Sequence, residues 1–350
     1  MTHPYDDLPD SAFWRSAVAE AGPQALEGIF TPKFPLDRSA AIATAGSCFA
    51  QHIGRALRRA GLNVLDAEPA PAGRPKRVAE AYGYGVYSAR YGNIYTTRQL
   101  VQLIRDAMAG RVDPADIWTR DGRFHDALRP TVEPGGLASL DEAVALRRAH
   151  LRAVLGMLRK ASHFVFTLGL TECWADRETG RVWPTCPGVV AGEFDPAQHE
   201  FLNLGWQDVM ADLALARGLL QDLHPGMKMI LTVSPVPLTA TASGRHVLPA
   251  TSRSKAVLLA AANEFAAGHD DVDYFPSYEI VTNPAARGGF FAPNLREVTQ
   301  AGVDTVIATF LGAHGIDAPA PQPLEVDTPT DTTPAEDVIC EEILLEALRK

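Results

Sequence analysis

No run of apolar residues in this chain approaches the roughly 20 needed to cross a bilayer, so no helical membrane span is expected. Cysteine is scarce: Cys48, Cys173, Cys186 and Cys340 are the only four in 350 residues, too few for a disulfide framework. There is no Cys-x-x-Cys pair and no His-Glu-x-x-His, so no zinc signature, and no Walker sequence. Gly83-Tyr-Gly85 opens like a dinucleotide fingerprint but lacks its third glycine. Neither a metal nor a cofactor is therefore expected. The start, Met1-Thr-His-Pro-Tyr-Asp-Asp-Leu-Pro-Asp10, has neither the basic flank nor the apolar core of a signal peptide, and a cytoplasmic location is expected. Positive charge is in deficit. A formal net charge of −10 argues against nucleic acid or an anionic membrane as the main partner.

What is present is a globular α/β pattern. Nearly continuous apolar runs at 40–45, 62–66, 163–168, 227–233 and 272–275 read as parallel strands covered on both faces. Helix-period segments at 49–60, 140–160, 204–223, 252–267 and 299–313 separate them. This alternation predicts a three-layer, doubly wound parallel sheet with long loop insertions, at about 67–137 and 175–202. Residues 1–38 carry short aromatic segments and read as an arm laid over a domain at 39–316. Residues 317–335 have linker composition, and 336–350 form a short amphipathic helix. Its apolar positions Val338, Ile339, Ile343, Leu344 and Leu348 suit docking on this domain, on a second subunit in a homo-oligomer, or on a partner.

The most informative stretch is Ala41-Ile-Ala-Thr-Ala-Gly-Ser-Cys-Phe-Ala50. An apolar strand stops at a glycine, presents a hydroxyl and a thiol side by side, and turns helical. Unpaired N–H groups at a helix start favour a thiolate and a developing oxyanion, so Ser47 and Cys48 are candidate nucleophiles. The structural alternative is a buried cysteine with Ser47 as N-cap. Cys48 is preferred because a thiol ionises more readily, with Ser47 as the alternative. His125, followed by Asp126, has the residue types of a base and its carboxylate orienter. His246 follows the fourth strand and is a second candidate base. Trp174, Trp183 and Tyr95 suit an apolar wall, and Arg120, Arg123 and Arg129 a substrate anion.

Gly46-Ser-Cys-Phe-Ala50 is identical to the signature of the GSCFA family, which resembles a branch of the SGNH/GDSL hydrolase-like superfamily. Gly92-Asn-Ile-Tyr95, Gly122-Arg-Phe-His-Asp126, Thr167-Leu-Gly-Leu-Thr-Glu-Cys-Trp174, Ser234-Pro-Val-Pro237, Ser254-Lys255 and Tyr274-Phe-Pro-Ser-Tyr-Glu-Ile280 resemble further family blocks in the same order. The resemblance covers about residues 30–313 and implies a flavodoxin-like sheet carrying nucleophilic acyl chemistry. It implies oxyanion or substrate contacts from Gly92, Asn93, Gly169, Thr171 and Glu172, beside Trp174. The asparagine expected in the Gly169-Leu-Thr-Glu172 turn is absent. The Asp-x-x-His expected near the last helix is replaced by Asn294-Leu-Arg-Glu297, which leaves Glu297 as a further candidate base.

The expected function is an acyl-ester or thioester hydrolase or an O-acyltransferase, acting on a small-molecule or glycan acyl substrate. Two alternatives stand beside it: a non-catalytic binding or scaffold protein on the same fold, and a thiol-redox protein pairing Cys48 with Cys186 or Cys173.

Overall fold

A computed structural model describes residues 3–318, 320–324 and 345. Most of the expected linker at 317–335 and of the helix at 336–350 thus lies outside the described residues. Numbered along the chain, β1 (Ile42–Gly46) leads into α1 (Ala50–Arg59). The first insertion contributes α2 (Lys76–Ala81), α3 (Thr97–Ala109) and the hairpin of β2 (Ile117–Arg120) and β3 (Arg123–Asp126). Next come α4 (Leu140–Leu158) and β4 (His163–Leu168). The second insertion holds β5 (Glu172–Asp176), β6 (Val182–Trp183) and β7 (His199–Asn203). The chain continues through α5 (Trp206–Leu223), β8 (Lys228–Val233), α6 (Val247–Ala267), β9 (Val272–Phe275), α7 (Ser277–Val281) and α8 (Gln300–Ala313).

The central sheet runs β1-β4-β8-β9, all parallel, with Gly46 opposite Thr167 and Leu168 opposite Val233, so the strand ends share one edge. Successive residues along each strand point to opposite faces. Ala43, Phe164, Phe166, Met229 and Leu231 join the core made with α3, α4, α5 and α6. Ile42, Val165 and Ile230 join the core made with α1, α7 and α8. That is the expected three-layer arrangement. The N-terminal arm packs on the second core through Phe34 and Leu36, and the Lys33 ammonium donates to the carbonyls of His269 and Val272. No helix among the described residues is long and apolar enough to cross a membrane.

The strand expected at 62–66 is reduced to a single parallel bridge between Val64 and Ile42. The reason lies on the outer edge of β1. There Thr44 N donates to Ser88 Oγ at 2.9 Å and Ser88 N to Thr44 O at 3.4 Å, so a loop residue occupies the place of a longer partner strand. The first insertion contains regular structure that the loop reading did not anticipate, whereas in the second Gly180-Arg-Val suggests a hairpin and the β5–β6 pair forms one. α3 opens on a capping box of Thr96 and Gln99 and closes on left-handed Gly110. The β2–β3 turn places Asp121 and Gly122 at positive φ, the conformation of a two-residue hairpin turn. β6 and β7 flank β5 in a small antiparallel sheet, with Gly180 at φ +68° in the β5–β6 turn.

Gly46 has φ +141°, and a Cβ there would strike the backbone carbonyl of Thr167. Gly46→Ala should therefore cost at least about 2 kcal/mol in urea unfolding, and an unchanged midpoint would contradict the close approach. Buried His150 lies with Nδ1 2.7 Å from Glu68 Oε2. Burial, reinforced by Arg129, pushes its pKa from 6.5 down to about 4. The folded chain thus refuses a proton that the unfolded chain accepts. This contribution to stability is complete above pH 6.5 and is lost as pH falls toward 4. His150→Gln should flatten the decline of stability across that window; parallel declines in both proteins would refute the assignment.

Candidate active site

Three segments of the sequence meet at the carboxyl end of β1. Ser47 N donates to Thr167 O at 3.1 Å, and Ala50 N and Gln51 N donate to the carbonyls of Ser47 and Cys48 at 2.9 and 3.1 Å, so the strand passes straight into a tight helical turn. The loop at 90–96 docks against it: Ile94 N donates to Gly46 O at 2.9 Å. The same loop holds the end of β4, because Tyr95 O accepts from Gly169 N at 3.0 Å and Leu170 N at 3.1 Å. Gly169 lies so close to the turn that a Cβ on it would sit 2.8 Å from the Ser47 Cβ. α6 supports this turn from behind. Lys255, only 2% exposed, donates from Nζ to Gly169 O at 2.7 Å, and Ser254 Oγ accepts from Thr171 N at 3.0 Å.

Ser47 and Cys48 are 2% and 5% exposed, so both side chains are closed off from solvent. Ser47 does not cap α1, whose N-terminus has no side-chain cap, and its Oγ has no hydrogen-bond partner. An unsatisfied buried hydroxyl costs about 1–3 kcal/mol, which marks it as a group that asks for an explanation. The Tyr87 hydroxyl lies 3.0 Å from Ser47 O and 2.5 Å from Asn93 Oδ1, and Gln51 Nε2 donates to that hydroxyl at 3.3 Å. Asn93 is thereby oriented by its carbonyl end. Tyr87 and Gln51 had no signal in the sequence that tied them to the turn.

One residue beyond Gly169, Leu170 forms part of the wall of a cavity of about 190 Å³. Glu172, Cys173 and Trp174 from β5, Thr185 and Cys186 after β6, and Phe201 from β7 line it too. Trp174 packs edge-on against Phe201 with centroids 5.7 Å apart. Thr185 is 7% exposed and its Oγ1 has no hydrogen-bond partner. Burial raises the Glu172 carboxyl above its ordinary pKa, against the opposing Thr241 hydroxyl, which donates to Oε1 at 2.8 Å, and Arg253. Burial also pushes Cys173 up to about 12 and Cys186 up to about 11, so both are protonated near neutrality. Trp183 lies against Trp118 at 5.4 Å and donates to Asp116, a packing role.

Several expected roles change in this setting. The Gly169 N–H is spent on Tyr95 O and does not serve as an oxyanion donor. The Thr171 hydroxyl donates to Asn203 Oδ1 at 2.7 Å and likewise faces an internal partner. Asp126 does not orient His125: neighbouring residues on a strand face opposite ways, and Asp126 Oδ2 pairs with Arg129 at 2.7 Å and Arg147 at 3.7 Å. Burial alone would raise its pKa, but Arg147 and Arg129 outweigh that and hold it below the usual value. His125 packs against Gly136, where a Cβ would meet its Nε2 at 2.6 Å, and its Nδ1 has no partner. Burial lowers its pKa, so the ring is neutral at pH 7. His246 is exposed and caps α6, accepting from Leu248 N at 3.1 Å. Glu297 sits in a turn closed by Asn294 Oδ1, which accepts from the N–H groups of Arg296 and Glu297. Arg120 and Arg123 donate to loop carbonyls, and Arg129 to Asp126, so the three are held by the protein itself.

The model of the GSCFA family matches residues 41–310, from the start of β1 into α8. No curated protein matches the chain.

Lys255→Met would leave the Gly169 carbonyl without its ammonium and should destabilise the fold by about 1–3 kcal/mol in urea unfolding. An unchanged midpoint would remove Lys255 from the support of this turn.

Proposed function

The chain belongs to the GSCFA family, and from that premise we propose that it is an acyl-transfer enzyme with an SGNH/GDSL hydrolase-like active site. The reaction is hydrolysis of an ester or thioester, or passage of the acyl group to a hydroxyl acceptor such as a sugar. Its nucleophile is on the Gly46–Ser47–Cys48 turn. The observation that carries this reading is the Ser47 hydroxyl, buried without a partner where the 90–96 loop and Gly169 converge on a helix start. It favours Ser47 over the more ionisable Cys48. The adjoining cavity, with aromatic walls and the unpaired Thr185 hydroxyl, suits the acyl chain.

In the proposed step the Ser47 oxygen attacks the acyl carbon while its proton passes to a neutral base. The tetrahedral oxyanion is received by N–H donors at the start of α1 and by the oriented Asn93 amide. The leaving alcohol or thiol takes the proton back, and water or an acceptor hydroxyl then releases the acyl group from Ser47. A cytoplasmic setting accords with the low cysteine content.

A second reading is favoured by a specific observation. Both nucleophile candidates are sealed, and the Gly169 N–H and Thr171 hydroxyl are spent on internal bonds. A binding protein on a retired hydrolase fold would look the same. The two readings separate on trapping and turnover. A fluorophosphonate should modify Ser47, as mapped by mass spectrometry, and Ser47→Ala should lower turnover of model esters or thioesters at least about 10³-fold. Modification and loss at Cys48 would move the nucleophile by one residue. Neither modification nor mutation-sensitive turnover would leave the binding reading.

A further inference from the structure

Glu172 is only 9% exposed, yet among the described residues it has no ion-pair partner. Its carboxylate accepts from the Thr241 hydroxyl at 2.8 Å, from Asn203 Nδ2 at 3.5 Å and from the Ala242 N–H, all of them neutral donors. Arg253 acts on it only through space, since its guanidinium donates to Asn203 Oδ1, the Leu204 carbonyl and the Thr171 hydroxyl. From this arrangement we infer that the cavity lined by Glu172 takes an alkylammonium group, its charge held by Glu172 and Thr185 and its hydrocarbon by Trp174, Phe201 and Leu238.

The small antiparallel sheet sets the geometry. In the β5–β7 ladder Trp174 stands opposite Phe201 and Glu172 opposite Asn203. Side chains two apart on a strand share a face, so the carboxylate and both rings border the same space. The rings stand 64° apart with centroids at 5.7 Å and form an aromatic corner beside the negative charge. A cation is attracted both to the faces of such rings, tryptophan most strongly, and to a carboxylate. Thr185 is 7% exposed and lines the same cavity, and its Oγ1, which has no partner, can accept one ammonium N–H. Leu170 and Leu238 keep other parts of the wall apolar, which suits a hydrocarbon tail. Burial disfavours the charged form of Glu172, and a cation beside the carboxylate offsets that penalty, whereas an anionic ligand would add to it. Identifying this ligand as the end of the transferred acyl chain rests on the acyl-transfer reading; the binding itself does not.

Cys186 is the reporter, since it lines the same cavity and is half-buried, so a bound ligand slows its alkylation. In the full chain at fixed pH, n-butylammonium should protect Cys186 from iodoacetamide, mapped by mass. Its half-protecting concentration should lie at least about tenfold below that of n-butanol, and butyrate should not protect. Glu172→Gln should bring the n-butylammonium and n-butanol values together, with thermal unfolding as the check on its fold. Where that variant does not fold, the wild-type comparison decides alone. Equal protection by n-butanol, no protection by n-butylammonium, or a preference that survives in folded Glu172→Gln would overturn the inference. Labelling is read without turnover, so a Ser47 that resists the fluorophosphonate would count against the acyl-transfer reading and leave this one standing.

Discussion

The geometry of the site depends on backbone hydrogen bonds that tie one loop to two strand ends. Residues 90–96 give an N–H to Gly46 O and take two N–H groups at Tyr95 O, so β1 and β4 share a single clamp at their carboxyl ends. Such a clamp closes only where side chains are absent. Gly46 and Gly169 are the two positions at which a Cβ would run into the opposing chain. The buried Lys255 then fixes the far side of Gly169. What results is a rigid floor under Ser47, with positions held by main-chain contacts and little freedom for relaxation.

The insertions are held by a different device. Arg181 pairs with Asp106 and Asp116, and Arg147 with Asp106 and Asp126, all of them buried. These four ion pairs join α3, the start and end of the β2–β3 hairpin, α4 and the residue that precedes β6. Desolvating that many charges is expensive and is offset only if each has close opposite partners. Asp126 belongs to this lattice, which is why it cannot also attend to His125. The arginines that looked suited to a substrate anion are explained in the same way, by carbonyls and carboxylates of the protein.

How much of this was legible in the sequence varied with the kind of contact. The strands at 163–168 and 272–275 are found residue for residue, because an apolar run buried on both faces ends where burial ends. The strand at 62–66 shrank to one bridge because Ser88 takes its place on β1, a contact between residues 44 apart that no local pattern reveals. α3 did carry a local signal, Thr96-x-x-Gln99 at its start and Gly110 at its end, but it lay inside an insertion whose glycine, proline and tyrosine content reads as loop. The convergence of Gly46, Asn93 and Gly169 was implied by the family resemblance. The roles of Tyr87 and Lys255 were not, since each acts on the turn from a distant segment through one polar atom.

Three buried hydroxyls have no partner among the described residues: Thr167 Oγ1 on β4, Ser47 Oγ on the turn and Thr185 Oγ1 on the cavity wall. Ser47 lies against Gly169, and the next residue, Leu170, lines the cavity together with Thr185. Ser47 thus lies on the clamped floor and Thr185 on the wall of the adjoining cavity. Floor and wall differ in how they are built. The floor is main chain locked to main chain, whereas the loop at 238–242 on the cavity wall is tied through side chains: the Thr241 hydroxyl and the Ala242 N–H donate to the Glu172 carboxylate, and Leu238 N donates to Thr251 Oγ1.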